Sequence, residues 1–402
     1  MKKVIEAIQL LKEEMDEPVC SYIYDLDHLK EHVESVTRTL PENCHMYYAM
    51  KANSEERILR TIYPFVKGFE VASIGEVKKA RAINSNVPVI FGGPGKTDNE
   101  LKSAILENVQ LFHVESINEL KRLTMIAEQH NKKVSILLRV NLRGPFPSAT
   151  LHMAGRPTQF GIDEAQIEEA IQLALSYESI QLEGFHFHSI SNNLDNKRHI
   201  ELIRIYFQKA RHWSEKYEFT LVYINVGGGI GVNFSDLDQQ FNWEHFTGEL
   251  KQLIDQENMS NVALIFECGR FLTSSCGYYA VEVIDIKENH GKTFVVVCGG
   301  TQHFRLPVSW QHNHPFGLIP FEKWHYPFEL TAVVNQEVTI VGQLCTPKDV
   351  FAKDVSIDQL RIGDVIVFLY AGAYGWSISH HDFLSHPHPQ HTFLETESIL
   401  NA

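Results

Sequence analysis

Residues able to act as a nucleophile, a proton donor or an anion cradle recur at the ends of short apolar runs in this chain. "MYYAM" (46–50) is followed at once by Lys51, "FEVA" (69–72) carries Glu70 and leads to Ser73, and "VSILLRVN" (134–141) carries Arg139 and Asn141. "LEGFHF" (182–187) holds His186 and is followed by His188, "LVYINV" (221–226) runs into "GGGIG" (227–231), and "VALIFE" (262–267) runs into "ECGR" (267–270). By itself the lysine reads as a surface residue after a strand, because lysine is seldom buried. A strand that desolvates its amine would instead make it reactive. The glycine run suits either a tight turn or a phosphate, whose oxygens need close approach of backbone N–H groups. His-x-His at a strand end is also a way to begin a metal site, and that alternative requires further His and Asp ligands on other strands.

These segments need a scaffold that brings them to one place. Short β-rich runs at 46–50, 69–72, 88–92, 110–114, 134–141, 182–187, 221–226 and 262–267 alternate with amphipathic stretches such as 116–132, 163–177 and 196–217. Eight strands each followed by a helix predict a (β/α)8 TIM barrel over residues 26–275. From about 276 to 402 the texture changes to longer alternating runs with Gly, Pro and Asp turns, which predicts an antiparallel β domain. The first 25 residues are free to pack on either part.

Barrel active sites lie at the carboxyl ends of the strands, with phosphate commonly held after strands 7 and 8. On that scaffold Lys51, His188, Gly227, Gly228, Gly229, Glu267 and Arg270 converge on one mouth. An amine for an aldehyde, a cradle for a phosphate and a carboxylate for a ring nitrogen are what pyridoxal 5'-phosphate needs. The glycines do not follow the dinucleotide fingerprint in spacing or placement. On the other strand ends the sequence supplies glycines and a Glu/Arg pair where a metal-dependent hydrolase would need ligands.

Composition narrows the partners. With 50 acidic against 36 basic side chains the formal charge is −14, which argues against nucleic-acid and anionic-membrane partners. No apolar run reaches membrane-spanning length, and the amino end "MKKVIEAIQLLKEEMDEP" is amphipathic and acidic, unlike a signal peptide, so a cytoplasmic protein is expected. The six cysteines (20, 44, 268, 276, 298 and 345) contain no C-x-x-C pair and are expected to be free thiols. The histidine-rich segment "HHDFLSHPHPQH" has no recognisable ligand spacing and reads as a solvated, irregular tail.

"YYAMKAN", "FEVASIGE", "FHFHSIS", "GGGIG", "ECGR", "GQLCTPKD" and "YAGAYG" occur in the order found in the fold type III pyridoxal-phosphate decarboxylases that resemble ornithine and diaminopimelate decarboxylase. The resemblance spans essentially the whole chain. It implies a barrel plus a carboxyl-terminal β domain of the alanine racemase/ornithine decarboxylase kind, and a head-to-tail homodimer with shared active sites. It further implies that Lys51 bonds to the cofactor, Glu267 pairs with its ring nitrogen and His188 stacks on its ring. Ser191, Gly227, Gly228, Gly229, Gly269, Arg270 and Tyr374 would hold the phosphate or cofactor. Cys345, spaced Cys-x-x-x-Asp from Asp349, would come from the partner subunit and return a proton to the α-carbon, with Asp349 near the substrate.

Departures from the pattern bear on substrate. Thr346 stands where diaminopimelate decarboxylases have the Glu that holds the distal ammonium, Gln159 replaces a lysine before "FG", and "RLPVSW" (305–310) has Trp310 in place of tyrosine. "TLHMAGRPTQFG" (150–161) and "FRLPVSWQHNHPF" (304–316) supply Arg156, Arg305, His152, His312 and His314, which suit a carboxylate-rich substrate. These loops resemble those of siderophore-pathway decarboxylases of the staphyloferrin B type, which implies decarboxylation of a citryl conjugate of 2,3-diaminopropionate. Diaminopimelate or another basic amino acid remains the alternative substrate. A metal-dependent barrel hydrolase and a catalytically inactive regulatory homologue are the alternative classes.

Overall fold

The computed structural model describes residues 1–14, 16–144, 151–152, 157–322 and 324–396. The chain divides into two compact units, one of Met1–Glu31, Phe234–Leu237 and Thr273–Ala402, the other of His32–Asn233 and Asp238–Leu272.

The second unit is a closed parallel barrel. Its strands are Cys44–Ala49, Gly68–Val71, Val89–Phe91, Leu111–Val114, Val134–Asn141, Ile180–His186, Tyr223–Gly227 and Ala263–Cys268. Each pairs in parallel with the next in the chain. Closure comes from the eighth strand against the first, where Glu267 is opposite Tyr47 and Cys268 opposite Tyr48. All eight strands read from the sequence are present, because β-branched and aromatic runs buried on both faces are a strong signal in parallel sheets. Tyr47, Ile90, Leu111, Leu137 and Ile265 form one of the buried clusters of the barrel.

The helices after the second, third and fourth strands begin on hydroxyl caps. Ser73 accepts from Glu76 N, Thr97 forms a reciprocal capping box with Glu100, and Ser116 accepts from Glu119 N. These caps set where each strand-end loop stops and so where its side chains point. Gly184, at φ +151°, allows the sixth strand to approach the seventh, since a Cβ there would lie 1.9 Å from Tyr223 O.

In the first unit the strand Gly277–Asn289 is the hub. It pairs antiparallel with Cys20–Asp25, Val365–Phe368 and Lys292–Val297. The expected antiparallel domain is in fact a mixed sheet: Lys292–Val297 runs parallel to Ala332–Val341, and Cys20–Asp25 runs parallel to Gln390–Leu394. Parallel neighbours need long crossovers, supplied here by the segment containing Leu306–Trp310 and Phe316–Ile319, and by the far end of the chain. Alternation in sequence identifies a strand but not the direction of its partner. Val350–Arg361, paired with Ala332–Val341, escapes the sequence reading because Asp354 at φ +51° interrupts its alternation. The amino-terminal helix Lys2–Glu14 buries Val4, Ala7 and Ile8 against Val19, Ile23, Ala280 and Val367 of this same unit.

Below the barrel mouth Lys96 is nearly inaccessible, and its amine donates to Glu119 Oε1 (2.7 Å), Gly93 O (2.6 Å) and His113 O (2.8 Å). Burial raises the Glu119 carboxyl, and Lys96 opposes that rise. Removing one partner of a buried pair leaves the other charge uncompensated, at roughly 3–5 kcal/mol. Lys96→Ala is therefore expected to lower the unfolding free energy by about that amount in chemical denaturation, whereas a loss under about 1 kcal/mol would contradict the role given to this pair.

Candidate active site

Lys51 sits in the single helical turn Met50–Ala52 directly after the first barrel strand. The turn is packed from the other side by Gly269, where a Cβ would come within 2.8 Å of Ala52 Cβ and 3.1 Å of Ala49 O. This close approach explains the glycine between Cys268 and Arg270. Lys51 Nζ donates to Glu70 at the end of the second strand, 3.1 Å from Oε2 and 3.4 Å from Oε1. The amine is about half exposed while Glu70 is buried. Burial pushes the Glu70 carboxyl up against the opposing pull of Lys51, and the charge of Glu267 adds to the rise. Sequence reasoning noted Glu70 at a strand end without giving it a partner.

Glu267 is buried at the end of the eighth strand. Its Oε1 accepts from Asn225 Nδ2 at 2.6 Å, and Asn225 Oδ1 in turn accepts from Gly227 N at 2.9 Å. That second bond fixes the amide so that its NH2 faces the carboxylate. His113 Nε2 lies 3.1 Å from the same Nδ2 and 3.6 Å from Glu267 Oε1. His186 stacks on His113 with ring centroids 3.9 Å apart, and its Nε2 is 3.3 Å from Glu267 Oε2 without hydrogen-bond alignment.

The glycine turn and His188 hold each other. Gly228 N donates to His188 Nδ1 at 3.2 Å, which leaves the ring proton on Nε2. Gly227 and Gly229 have φ of +74° and +87°, and a Cβ on Gly227 would come within 2.4 Å of His188 Nδ1. Gly228 lies against the backbone of Glu267, its Cβ position 2.4 Å from Glu267 O. Ser191 lies on a two-residue strand paired with Leu151, and Arg270 opens the short helix Arg270–Thr273. Burial, then the charges of Arg139 and Lys51, holds His186 and His188 well below the usual imidazole range. His113 is lowered by burial and by His186. The amine, three neutral imidazoles and two carboxylates thus form one electrostatic cluster.

This donor set fits pyridoxal phosphate: a presented amine, a glycine cradle without room for side chains, and a buried carboxylate whose geometry an amide has set. His113, His186 and Glu267 also bring ligand atoms within 4.8 Å of one another, the grouping a metal would use. The fixed Asn225 NH2 points into that grouping, and a donor there opposes a cation. His113 and Asn225 were missed in the sequence. Each is a polar residue inside an otherwise apolar strand, "LFHV" and "YINV", and that interruption is the signal that could have found them.

The remaining predicted residues lie in the other unit or outside the described residues. Cys345 is exposed on the loop after Ala332–Val341. Asp349 is buried and spends both oxygens on backbone N–H groups, accepting from Leu344 N of that loop (2.8 Å) and from Thr301 N of the segment after Lys292–Val297 (2.7 Å), so it ties the loop down instead of presenting a free carboxylate. Tyr374 adopts φ +53°. Arg305 is exposed, with Nη1 3.2 Å from His380 Nδ1. His312 stacks on Phe234 and lies 3.0 Å from His314 Nδ1. Arg156 lies outside the described residues.

Unfolded imidazoles titrate near about 6.5. Since His113, His186 and His188 titrate lower when folded, the unfolded chain binds the extra protons below that pH, and stability falls as the pH drops from there. Above it they contribute nothing. His186→Phe is expected to flatten the stability–pH slope between about pH 6.5 and 5 by up to ~1.4 kcal/mol per pH unit. Denaturant titrations across that range check this, and an unchanged slope would show that His186 is charged in the folded protein.

A family model described as the pyridoxal-binding domain of pyridoxal-dependent decarboxylases matches residues 26–274. The chain is 57% identical to 2-[(L-alanin-3-ylcarbamoyl)methyl]-2-hydroxybutanedioate decarboxylase of Staphylococcus aureus, over 98% of each chain. It is 31% identical to L-glutamyl-[BtrI acyl-carrier protein] decarboxylase of Niallia circulans, over 92% of this chain and 87% of that one. The crystal structure of diaminopimelate decarboxylase from Helicobacter pylori complexed with L-lysine superposes with a TM-score of 0.83 at 26% identity, covering 96% of this chain and 94% of that one. No helix among the described residues is long and apolar enough to cross a membrane. With the barrel, the presented lysine and the glycine cradle, these matches establish that the chain belongs to the pyridoxal-phosphate-dependent decarboxylases of the ornithine and diaminopimelate decarboxylase type.

Proposed function

We propose that this decarboxylase acts on citrate joined by an amide to 2,3-diaminopropionate, removing the amino-acid carboxylate to leave a citryl-ethylenediamine unit for siderophore assembly. The observation that carries the reading is the 57% identity, along nearly the full length of both chains, to an enzyme whose name describes that conjugate. Thr346 beside Cys345 agrees with it, since a citryl group offers no distal ammonium for an acid to hold. Arg305 agrees too. Burial and the Arg305 charge lower the adjacent His380, so the guanidinium is the cation this pair offers to an anionic partner.

Pyridoxal phosphate, when bound, supplies an electron sink for the pair left as the bond to the carboxylate breaks. The chain's own residues do the rest. Lys51 would hold the cofactor through its aldehyde, and Glu70 orients the lysine ammonium when it is free. Glu267, held by Asn225, would pair with the ring nitrogen and favour its protonated form. The backbone of Gly227–Gly229, with Ser191, Gly269 and Arg270, would bind the phosphate side, and His188 would pack on the ring. Cys345 of the partner subunit in a head-to-tail homodimer returns the proton to the α-carbon, and its loop is kept in shape by Asp349. Arg305 and His312 are the donors offered to the citryl carboxylates, and Arg156 is a further cation of the sequence suited to them.

Incubation with citryl-diaminopropionate, diaminopimelate, ornithine and lysine, followed by mass spectrometry, is expected to show loss of one carboxyl from the first alone. Turnover of diaminopimelate in its place would transfer the assignment to the basic amino acids. Lys51→Ala is expected to abolish both turnover and the visible absorbance of the bound cofactor. Cys345→Ala should keep that absorbance while kcat falls by roughly 10²–10⁴-fold, the range for a lost general acid.

A further inference from the structure

A second cluster of reactive side chains lies within the β-sheet unit. The edge of Gly277–Asn289 changes partner at Glu282, whose N–H donates to Val19 O (2.8 Å) and whose carbonyl accepts from Cys298 N (2.8 Å). One residue thereby sets the start of Cys20–Asp25 beside the end of Lys292–Val297, with Cys20 and Cys298 flanking that junction. Side-by-side placement on one ladder edge is compatible with the short Cα separation a disulfide needs.

The surroundings are chemically suited to thiol exchange. Cys20 Sγ lies 3.6 Å from Tyr279 Oη and 3.7 Å from His303 Nδ1, and those two atoms are 3.3 Å apart. Gly299, at φ +88°, makes room, since a Cβ there would meet Tyr279 Oη at 2.3 Å and Cys20 Sγ at 3.0 Å. Both cysteines open onto a pocket of ≈ 470 Å³ shared with Glu17, Gln343, His386 and His388. The neighbouring Cys20 thiol draws the Cys298 thiol below its usual range, against the rise from burial. Cys44, Cys268 and Cys276 are buried, and burial pushes their thiols up, which makes them inert.

We propose that Cys20 and Cys298 are an oxidation site at which hydrogen peroxide converts two thiols into one intramolecular disulfide. The Cys298 sulfur attacks a peroxide oxygen: the S–O bond forms, the O–O bond breaks, and the departing hydroxide takes up a proton as water. The Cys20 sulfur then attacks the Cys298 sulfur, the S–S bond forms, the S–O bond breaks, and the departing hydroxide takes up the Cys20 proton as a second water. Two thiols and one peroxide give one disulfide and two waters, with the two electrons passing from sulfur to oxygen. Reduction by a dithiol reverses it. The bond would brace the base of the Cys345 loop, because Gly299 O accepts from Gln343 N (2.7 Å) and Thr301 N donates to Asp349 (2.7 Å).

The test is peptide mapping of the wild-type full-length protein after a small molar excess of hydrogen peroxide, with free thiols alkylated before non-reducing digestion. The expected product is a linked peptide pair containing Cys20 and Cys298, two hydrogens lighter than the separate peptides and abolished by dithiothreitol. In Cys345→Ser, which retains five of the six cysteines, thiol titration under denaturing conditions is expected to fall from five to three. In Cys20→Ser, Cys298 should advance to the sulfinic acid, having no thiol to resolve it. Recovery of both cysteines unmodified at a peroxide dose that oxidises Cys345 would overturn the proposal. So would Cys298 oxidised without a link while Cys20 stays free, or a link to any other cysteine. The wild-type map requires no substitution, so a variant that fails to fold leaves the outcome readable.

Discussion

The buried bond between Asn225 and Glu267 is the constraint on which the rest of the site depends. A carboxylate with so little access to water must be hydrogen-bonded or give up its charge. At 2.6 Å the Asn225 amide supplies that bond, and Gly227 N–H prevents the amide from turning over. The same three residues join the seventh strand, the glycine turn and the eighth strand. The position of the carboxylate is thus coupled to the shape of the anion cradle. Gly228, pressed against the Glu267 carbonyl and tied to His188, carries the coupling to the sixth strand. A polar network that is fully satisfied holds one geometry, whereas a partly satisfied one is costly.

Across the mouth, Lys51 and Glu70 obey a different balance. The amine remains half exposed and the acid buried, so the lysine can leave its partner for water at little cost to itself, while Glu70 stays in the interior, where burial raises its carboxyl. This asymmetry suits a lysine that must exchange partners. Barrel closure makes it possible, because pairing of the eighth strand with the first sets Glu267 opposite Tyr47 and brings Gly269 onto the turn that carries Lys51. Residues more than 200 positions apart in sequence become neighbours through one ladder of hydrogen bonds.

The β-sheet unit follows another logic. Its loops are shaped by buried acids that accept from backbone N–H groups: Asp349 under the Cys345 loop, Glu282 at the start of the first strand, and Asp364 at the turn that receives Phe321 and Arg361. Such acids read in sequence as surface charges. Asp349 shows the consequence, since the family resemblance implies substrate contact for it while the fold uses both of its oxygens internally.

Apolar runs and their spacing determined the eight barrel strands, since burying both faces of a parallel strand demands continuous hydrophobicity. The ordered motifs around Lys51, His188, Gly228, Glu267 and Cys345 determined the family, because cofactor chemistry dictates residue type at each point. Tertiary structure alone decided that His113 and Asn225 belong with Glu267, that Glu70 holds Lys51, and that the second sheet is mixed. Each of these depends on which strands become neighbours and in which direction. Strand pairing is a property of long-range backbone hydrogen bonding, and no local pattern of side chains encodes it.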